Sequence, residues 1–178
     1  MELRELTSDD APEVQRIYSG RSLRFLGRGP MGADEAAAYV AAATARPRLR
    51  FILGIDIEGD LVGAIKLNVT NTEGRVSYIL RHDRWGRGFA TGAVTELLAL
   101  AFGALSLSTV RAKHQVENGA SGRVLVKAGF THTGTADGFS QYVAKRTQPG
   151  DQRPLNVAVG SRRCPGRVLE PPLPGRRR

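Results

Sequence analysis

The chain has 178 residues, a formal net charge of +9, 41% apolar residues and a single cysteine. That length suits one domain with a sizeable core, and Cys164 alone excludes an internal disulfide or a cysteine-cluster metal site. No apolar run approaches the ~18 residues of a membrane span, and Met1-Glu2-Leu3-Arg4-Glu5-Leu6 is too charged for a signal peptide. A cytoplasmic protein with no membrane partner is expected.

Residues 2–6 alternate as a strand does, and Thr7 or Ser8 can cap a helix running from Asp9 to about Tyr18. A loop through Gly20 to Gly32 follows, with Phe25 and Leu26 as buried anchors and Arg21, Arg24 and Arg28 as its charge. A second helix runs from Ala33 or Asp34 to about Ala45 and is ended by Pro47. Three strand-like runs come next, Leu49–Ile57, Leu61–Val69 and Arg75–Leu80, separated by turns at Glu58-Gly59-Asp60 and Asn71-Thr72-Glu73-Gly74. An antiparallel meander is the natural arrangement. Beyond a glycine-containing loop, Ala90, Val94, Leu97, Leu98, Ala101 and Leu105 recur at helical spacing. Thr109–Val116 reads as a further strand and is followed by a short helix from Asn118. Ala120, Val124 and Leu125 form its buried stripe, and Gly129 stands at its C′ position. Thr131–Thr135 and Ser140–Ala144 pair around Asp137-Gly138. The expected fold is α+β, a mixed and mostly antiparallel central sheet flanked by helices, over a domain of residues 1–146.

Residues 147–178 read differently. Seven arginines against Asp151 and Glu170 place +5 of the +9 there, with six of the nine prolines and no periodicity. This basic Pro/Arg-rich tail is expected to be disordered. It has a second reading as a polyanion-binding arm, but terminal charge runs are usually just solvated, and nucleic acid is not expected as a partner.

The stretch that organises the chain is Trp85-Gly86-Arg87-Gly88-Phe89-Ala90-Thr91, where a strand ending at Leu80 feeds a helix N-terminus. The first turn of a helix leaves backbone N–H groups unpaired and carries partial positive charge, which suits phosphate. Gly86 and Gly88 let a pyrophosphate approach the main chain, and Arg84 and Arg87 supply mobile positive charge. No Gly-Lys-Ser/Thr follows, so this is no Walker loop, and Thr91 stands where a dinucleotide fingerprint needs its third glycine.

The loop resembles the coenzyme A pyrophosphate loop of the GNAT N-acetyltransferase superfamily, Gln/Arg-x-x-Gly-x-Gly/Ala. Trp85 replaces the usual first residue, as in the branch of ribosomal-protein alanine N-acetyltransferases. A second match lies downstream: Asn118, Ser121, then Lys127, Gly129 and Phe130 resemble the family's Asn-x-x-Ser and Lys-x-Gly-Phe. The resemblance covers roughly residues 1–145. It implies direct transfer of an acetyl group from acetyl-CoA to a primary amine, such as a protein N-terminus or a small-molecule amine, with no metal. A homodimer is compatible with such a fold.

Under that resemblance Trp85, Gly86, Arg87, Gly88, Phe89, Ala90 and Thr91 hold the pyrophosphate, while Asn118 and Ser121 contact the pantetheine arm and thiol. Leu80 offers a backbone N–H to the thioester oxygen. Leu125 stands where many relatives carry a proton-donating tyrosine, which leaves Ser121 as the donor candidate. Lys113 stands where some carry a basic glutamate. His82, at the strand end, is the catalytic histidine candidate, with His114, Tyr78 and Glu117 as further candidates for the base. Loss of both usual residues keeps open a non-catalytic coenzyme A-binding or regulatory module. The loop arginines would face an acidic acceptor.

Overall fold

The computed structural model describes residues 1–45 and 50–146. Residues 46–49, which include Pro47 and the expected start of the second strand, and the whole expected tail from 147 onward lie outside the described residues.

Strand β1 (Glu2–Glu5) leads through a single 3-10 turn at Ser8–Asp10 into helix α1 (Ala11–Ile17). Thr7 opens that turn through a reciprocal capping box with Asp10, so the expected continuous helix from Asp9 is a 3-10 turn followed by a shorter α-helix. Another 3-10 turn, Gly20–Leu23, precedes α2 (Ala33–Thr44). Strands β2 (Arg50–Ile57), β3 (Asp60–Thr70) and β4 (Glu73–Leu80) form the expected meander. Its turns are tighter than the sequence suggests, two residues each at Glu58-Gly59 and Asn71-Thr72, with Asp60, Glu73 and Gly74 drawn into the ladder. Helix α3 (Phe89–Phe102), strand β5 (Thr109–Gln115), helix α4 (Gly119–Lys127) and the hairpin β6 (Thr131–Ala136) and β7 (Phe139–Lys145) complete the described elements.

The seven strands lie in the order β1-β2-β3-β4-β5-β7-β6. Every neighbouring pair is antiparallel except β4 and β5, which pair in parallel over only Glu73–Thr109, Gly74–Val110 and Arg75–Arg111. Beyond Arg75 the two strands part, opening a gap in the middle of the sheet.

Each face has its own core. On one, Ile65, Leu67 and Val76 meet Val94, Leu97 and Ala101 of α3 and Leu125 of α4. On the other, Ile52, Ala64 and Ile79 meet Val14 and Ile17 of α1 and Ala36 and Val40 of α2. The α3 stripe is as expected except that Leu105 lies past the helix end, where Gly103 caps it. Helix α4 departs further: of its expected stripe Leu125 is buried, but Val124 is half-buried and Ala120 exposed, and Gly122 is buried where no core residue was expected. A Cβ at Gly122 would stand 2.9 Å from both His114 Nε2 and Tyr142 Oη. The helix backbone therefore rests directly on that pair. Leu26, expected as an anchor, is 40% exposed.

Candidate active site

The loop between β4 and α3 is built by opposed backbone requirements. Gly86 (φ 76°) and Gly88 (φ 82°) both sit in the left-handed region that L-residues avoid, and Gly88 is the N-cap of α3. An added Cβ at either position would meet nothing within 4 Å, so the chain reserves open space above the loop. The first intrahelical bond of α3 runs from Gly92 N–H to Gly88 O at 3.0 Å. The N–H groups of Phe89, Ala90 and Thr91 therefore precede any helical acceptor and point out of the helix end.

Trp85 is 41% exposed yet fixed, because its Nε1 donates to Leu80 O at 2.9 Å. The bond ties the loop to the end of β4. Arg84 does not behave as the mobile charge expected. Its guanidinium is held by Asp60, which also receives Arg81 (2.9 Å on each oxygen) and Arg16 (3.3 Å). Hydrogen bonding from Arg81 leads the causes that hold the Asp60 carboxyl below its ordinary range. Arg87 remains on the loop, and Arg123 and Lys127 of α4, four residues apart, also reach this cavity.

The ladder shows what the strand end offers. Arg81 N–H donates to Val62 O at 2.8 Å, and the β3–β4 register pairs Leu80 with Gly63. Antiparallel strands alternate hydrogen-bonded and non-hydrogen-bonded pairs, so Leu80 belongs to the second kind. Its N–H and C=O turn away from β3, toward the gap where β4 and β5 part. The C=O is the acceptor used by Trp85.

Across the gap stands the N-terminus of α4. Asn118 Oδ1 accepts from Ser121 N–H at 3.2 Å, which is the side-chain cap that starts the helix. Ser121 Oγ lies 2.6 Å from Tyr78 Oη. Burial pushes the Tyr78 phenol up to about 12, so it keeps its proton at neutral pH.

These groups line a cavity of about 360 Å³ with Leu80, the Trp85–Thr91 loop, Asn118 and Ser121 on its walls. A second cavity of about 450 Å³ lies against α2 and the strands β2 to β4, and the two share Leu26, Tyr78 and Ile79.

The structure thus brings together every expected cofactor-loop residue, Leu80, Asn118 and Ser121. It does not bring the His82 side chain there: the residue is exposed, its ring packs edge-on against Trp85 with centroids 5.9 Å apart, and its backbone N–H donates to Ser22 Oγ at 3.0 Å. Lys113 is exposed with its Nζ 4.1 Å from the centre of the Phe139 ring, and Glu117 is exposed. His114 is buried, with Nε2 3.2 Å from Tyr142 Oη and Nδ1 2.7 Å from Gln115 O. None of the three lines either cavity.

A family model for the GNAT acetyltransferase domain matches residues 1–131. The chain belongs to the GNAT acetyltransferase family. It is an acyltransferase. Over 164 residues it is 26% identical to an uncharacterized N-acetyltransferase, YoaA, of Bacillus subtilis, covering 87% of this chain and 91% of that one. Its fold is similar to that of a spermidine N-acetyltransferase from Vibrio cholerae solved with CoA and spermine (TM-score 0.70, 18% identity, covering 82% of this chain and 95% of the other). It is likewise similar to the aminoglycoside acetyltransferase AAC(6')-Ib solved with coenzyme A (TM-score 0.69, 16% identity, 81% and 94%). Identities this low establish a shared fold alone. Among the described residues no helix is long and apolar enough to cross a membrane.

Proposed function

We propose that the protein moves an acetyl group from acetyl-CoA to a primary amine by direct transfer, with the donor in the cavity of the Trp85–Thr91 loop. The observation that carries this reading is the meeting of two cavities at Tyr78 and Ile79, where β4 leaves β5. A donor and an acceptor entering from opposite sides would face one another at the Leu80 N–H.

Each residue then has a chemical task. The free N–H groups of Phe89, Ala90 and Thr91, with Arg87, Arg123 and Lys127 around them, bind the diphosphate of the donor. Leu80 N–H donates to the thioester oxygen as negative charge gathers on it. The acceptor nitrogen forms its bond to the acetyl carbon as the carbon–sulfur bond breaks, and the departing thiolate needs a proton. Ser121 supplies it and is re-protonated by Tyr78, whose phenol lies 2.6 Å away and then recovers a proton from water. The surplus proton of the amine leaves to water. Ser121 paired with Trp85-Gly86-Arg87-Gly88-Phe89-Ala90 supports the likeness to the ribosomal-protein alanine branch, and so an α-amine as acceptor.

Calorimetric titration with acetyl-CoA tests the donor site, and release of free CoA thiol in the presence of amines tests the transfer. Binding by the native chain that is lost in Gly88→Glu is the expected result. A folded native chain that does not bind acetyl-CoA would sink the reading.

A further inference from the structure

The cavity against α2 has a charge pattern that the acetyl-transfer chemistry does not use. Among the described residues three cations line it, Arg28, Arg50 and Lys66, against one carboxylate, Glu35. The carboxylate is already committed, since Arg28 Nη2 donates to both its oxygens at 2.8 and 2.9 Å. Arg50 Nε donates to the neutral Asn68 Oδ1 at 3.1 Å. Lys66 has no hydrogen-bond or ion-pair partner among the described residues. It interrupts the apolar run of β3, half-buried on the same sheet face as Ala64 and next to Ser77 in the ladder. Burial, and then the charge of Arg50, hold its ammonium below the ordinary lysine range.

A half-buried, unpaired ammonium is a cost to the folded protein unless something compensates it. An anion in the cavity would do so, and would be more firmly held than in water because the surroundings are less polar. Among the described residues a polycationic amine would meet two uncommitted positive charges and no free carboxylate, and like charges at short range are strongly repulsive.

We infer that the amine acceptor carries an anionic group, which Lys66 and Arg50 hold in the cavity between α2 and the strands β2 to β4 while its amine reaches Tyr78 and Leu80. This rests on the acetyl-transfer reading and adds the substrate class to it. The spermidine and aminoglycoside enzymes that share the fold are named for polycationic amines, so the inference separates this chain from them on charge. Lys66 and Arg50 are specificity-determining residues and touch no reacting atom.

The test uses three peptide amides with a free N-terminal amine, Ala-Glu, Ala-Gln and Ala-Lys, which differ in the charge of one side chain. They are titrated calorimetrically into the full chain loaded with CoA, so that no turnover intervenes. The glutamate peptide binds roughly tenfold tighter than the glutamine peptide, and the lysine peptide weakest, as one charge-assisted contact implies. Lys66→Gln and Lys66→Met collapse that preference while leaving CoA affinity near native and the thermal unfolding midpoint at or above the native value. Equal binding of the three, preference for the lysine peptide, no peptide binding, or an unchanged order in both variants overturns the inference. Failure of CoA itself to bind the native chain is a different result, and removes the acetyl-transfer reading instead.

Discussion

Gly88 allows the proposed phosphate site to be tested separately from the fold that carries it. Its φ of 82° puts any L-residue in the left-handed region, at a cost of about 1–2 kcal/mol. A Cβ there meets no atom within 4 Å, so Gly88→Ala adds no steric term within the protein itself. With a midpoint shift of about 2–4 °C per kcal/mol for a chain of this size, Gly88→Ala should unfold roughly 2–8 °C below native. Gly88→Glu suffers the same backbone cost but places a carboxylate in the space left for phosphate. One unit charge about 4 Å from another costs ~1 kcal/mol in bulk water and ~4 kcal/mol at an effective dielectric near 20. The glutamate variant should therefore bind acetyl-CoA on the order of 100-fold more weakly than the alanine variant, at a similar unfolding midpoint. Calorimetry and differential scanning measurements on the pair read both quantities. Equal affinity in the two variants would refute the phosphate assignment, whatever their stability.

Other perturbations follow from neighbouring contacts. Ser121→Ala should lower kcat on the order of 100-fold with little change in the KM for acetyl-CoA, in a steady-state thiol-release assay; an unchanged kcat would remove Ser121 from proton transfer. Because Tyr78 titrates near 12, the native rate should show no loss from this group between pH 6 and pH 9, and a loss appearing in that range in native enzyme but absent in Tyr78→Phe would contradict its assignment as a protonated donor. Gly122→Ala presses a methyl against His114 and Tyr142 and should destabilise by about 1–3 kcal/mol in chemical denaturation. Arg4 links the buried Asp10 (2.7 Å) and Asp56 (2.9 Å), so Arg4→Met should cost about 2–3 kcal/mol by leaving both carboxylates uncompensated. The hydrogen bond from Arg4 leads the causes that lower the pKa of Asp10 in the fold, so this stabilisation is present above the unfolded carboxylate range and is lost as pH falls through the lower folded value. Urea titrations below about pH 4 should find native and Arg4→Met converging, and a constant difference would exclude that linkage.

Local chemistry explains why the conformation of the Trp85–Thr91 loop was legible in the sequence. Two glycines before an apolar helical stripe state both the conformation and the exposed N–H groups, and neither depends on a distant partner. The strand alternation and the short helix opened by Asn118 were legible for the same reason. What escaped depends on long-range pairing. Arg84 was read as a free cation because nothing near it in sequence shows that Asp60, on the other side of a hairpin, claims it. Ala120 was assigned to the core by apolarity, whereas the backbone at Gly122 is what packs on His114 and Tyr142. Tyr78 stood among several proton-handling candidates until the parting of β4 and β5 set it beside Ser121. Lys66 is one charge within an apolar strand and drew no assignment from the sequence. That interruption was the available signal, and only the packing of α2 shows which cavity it serves.

The indole that ties the loop to β4 is the sole tryptophan of the chain. Its emission therefore reports one place, the junction of the Trp85–Thr91 loop and the strand end at Leu80. At 41% exposure it is open to quenchers and to the polarity of whatever settles on the loop. Donor occupancy can consequently be followed optically in the unlabelled protein, in real time and at micromolar concentrations, and a Tyr or Phe at this position would silence the signal at its source.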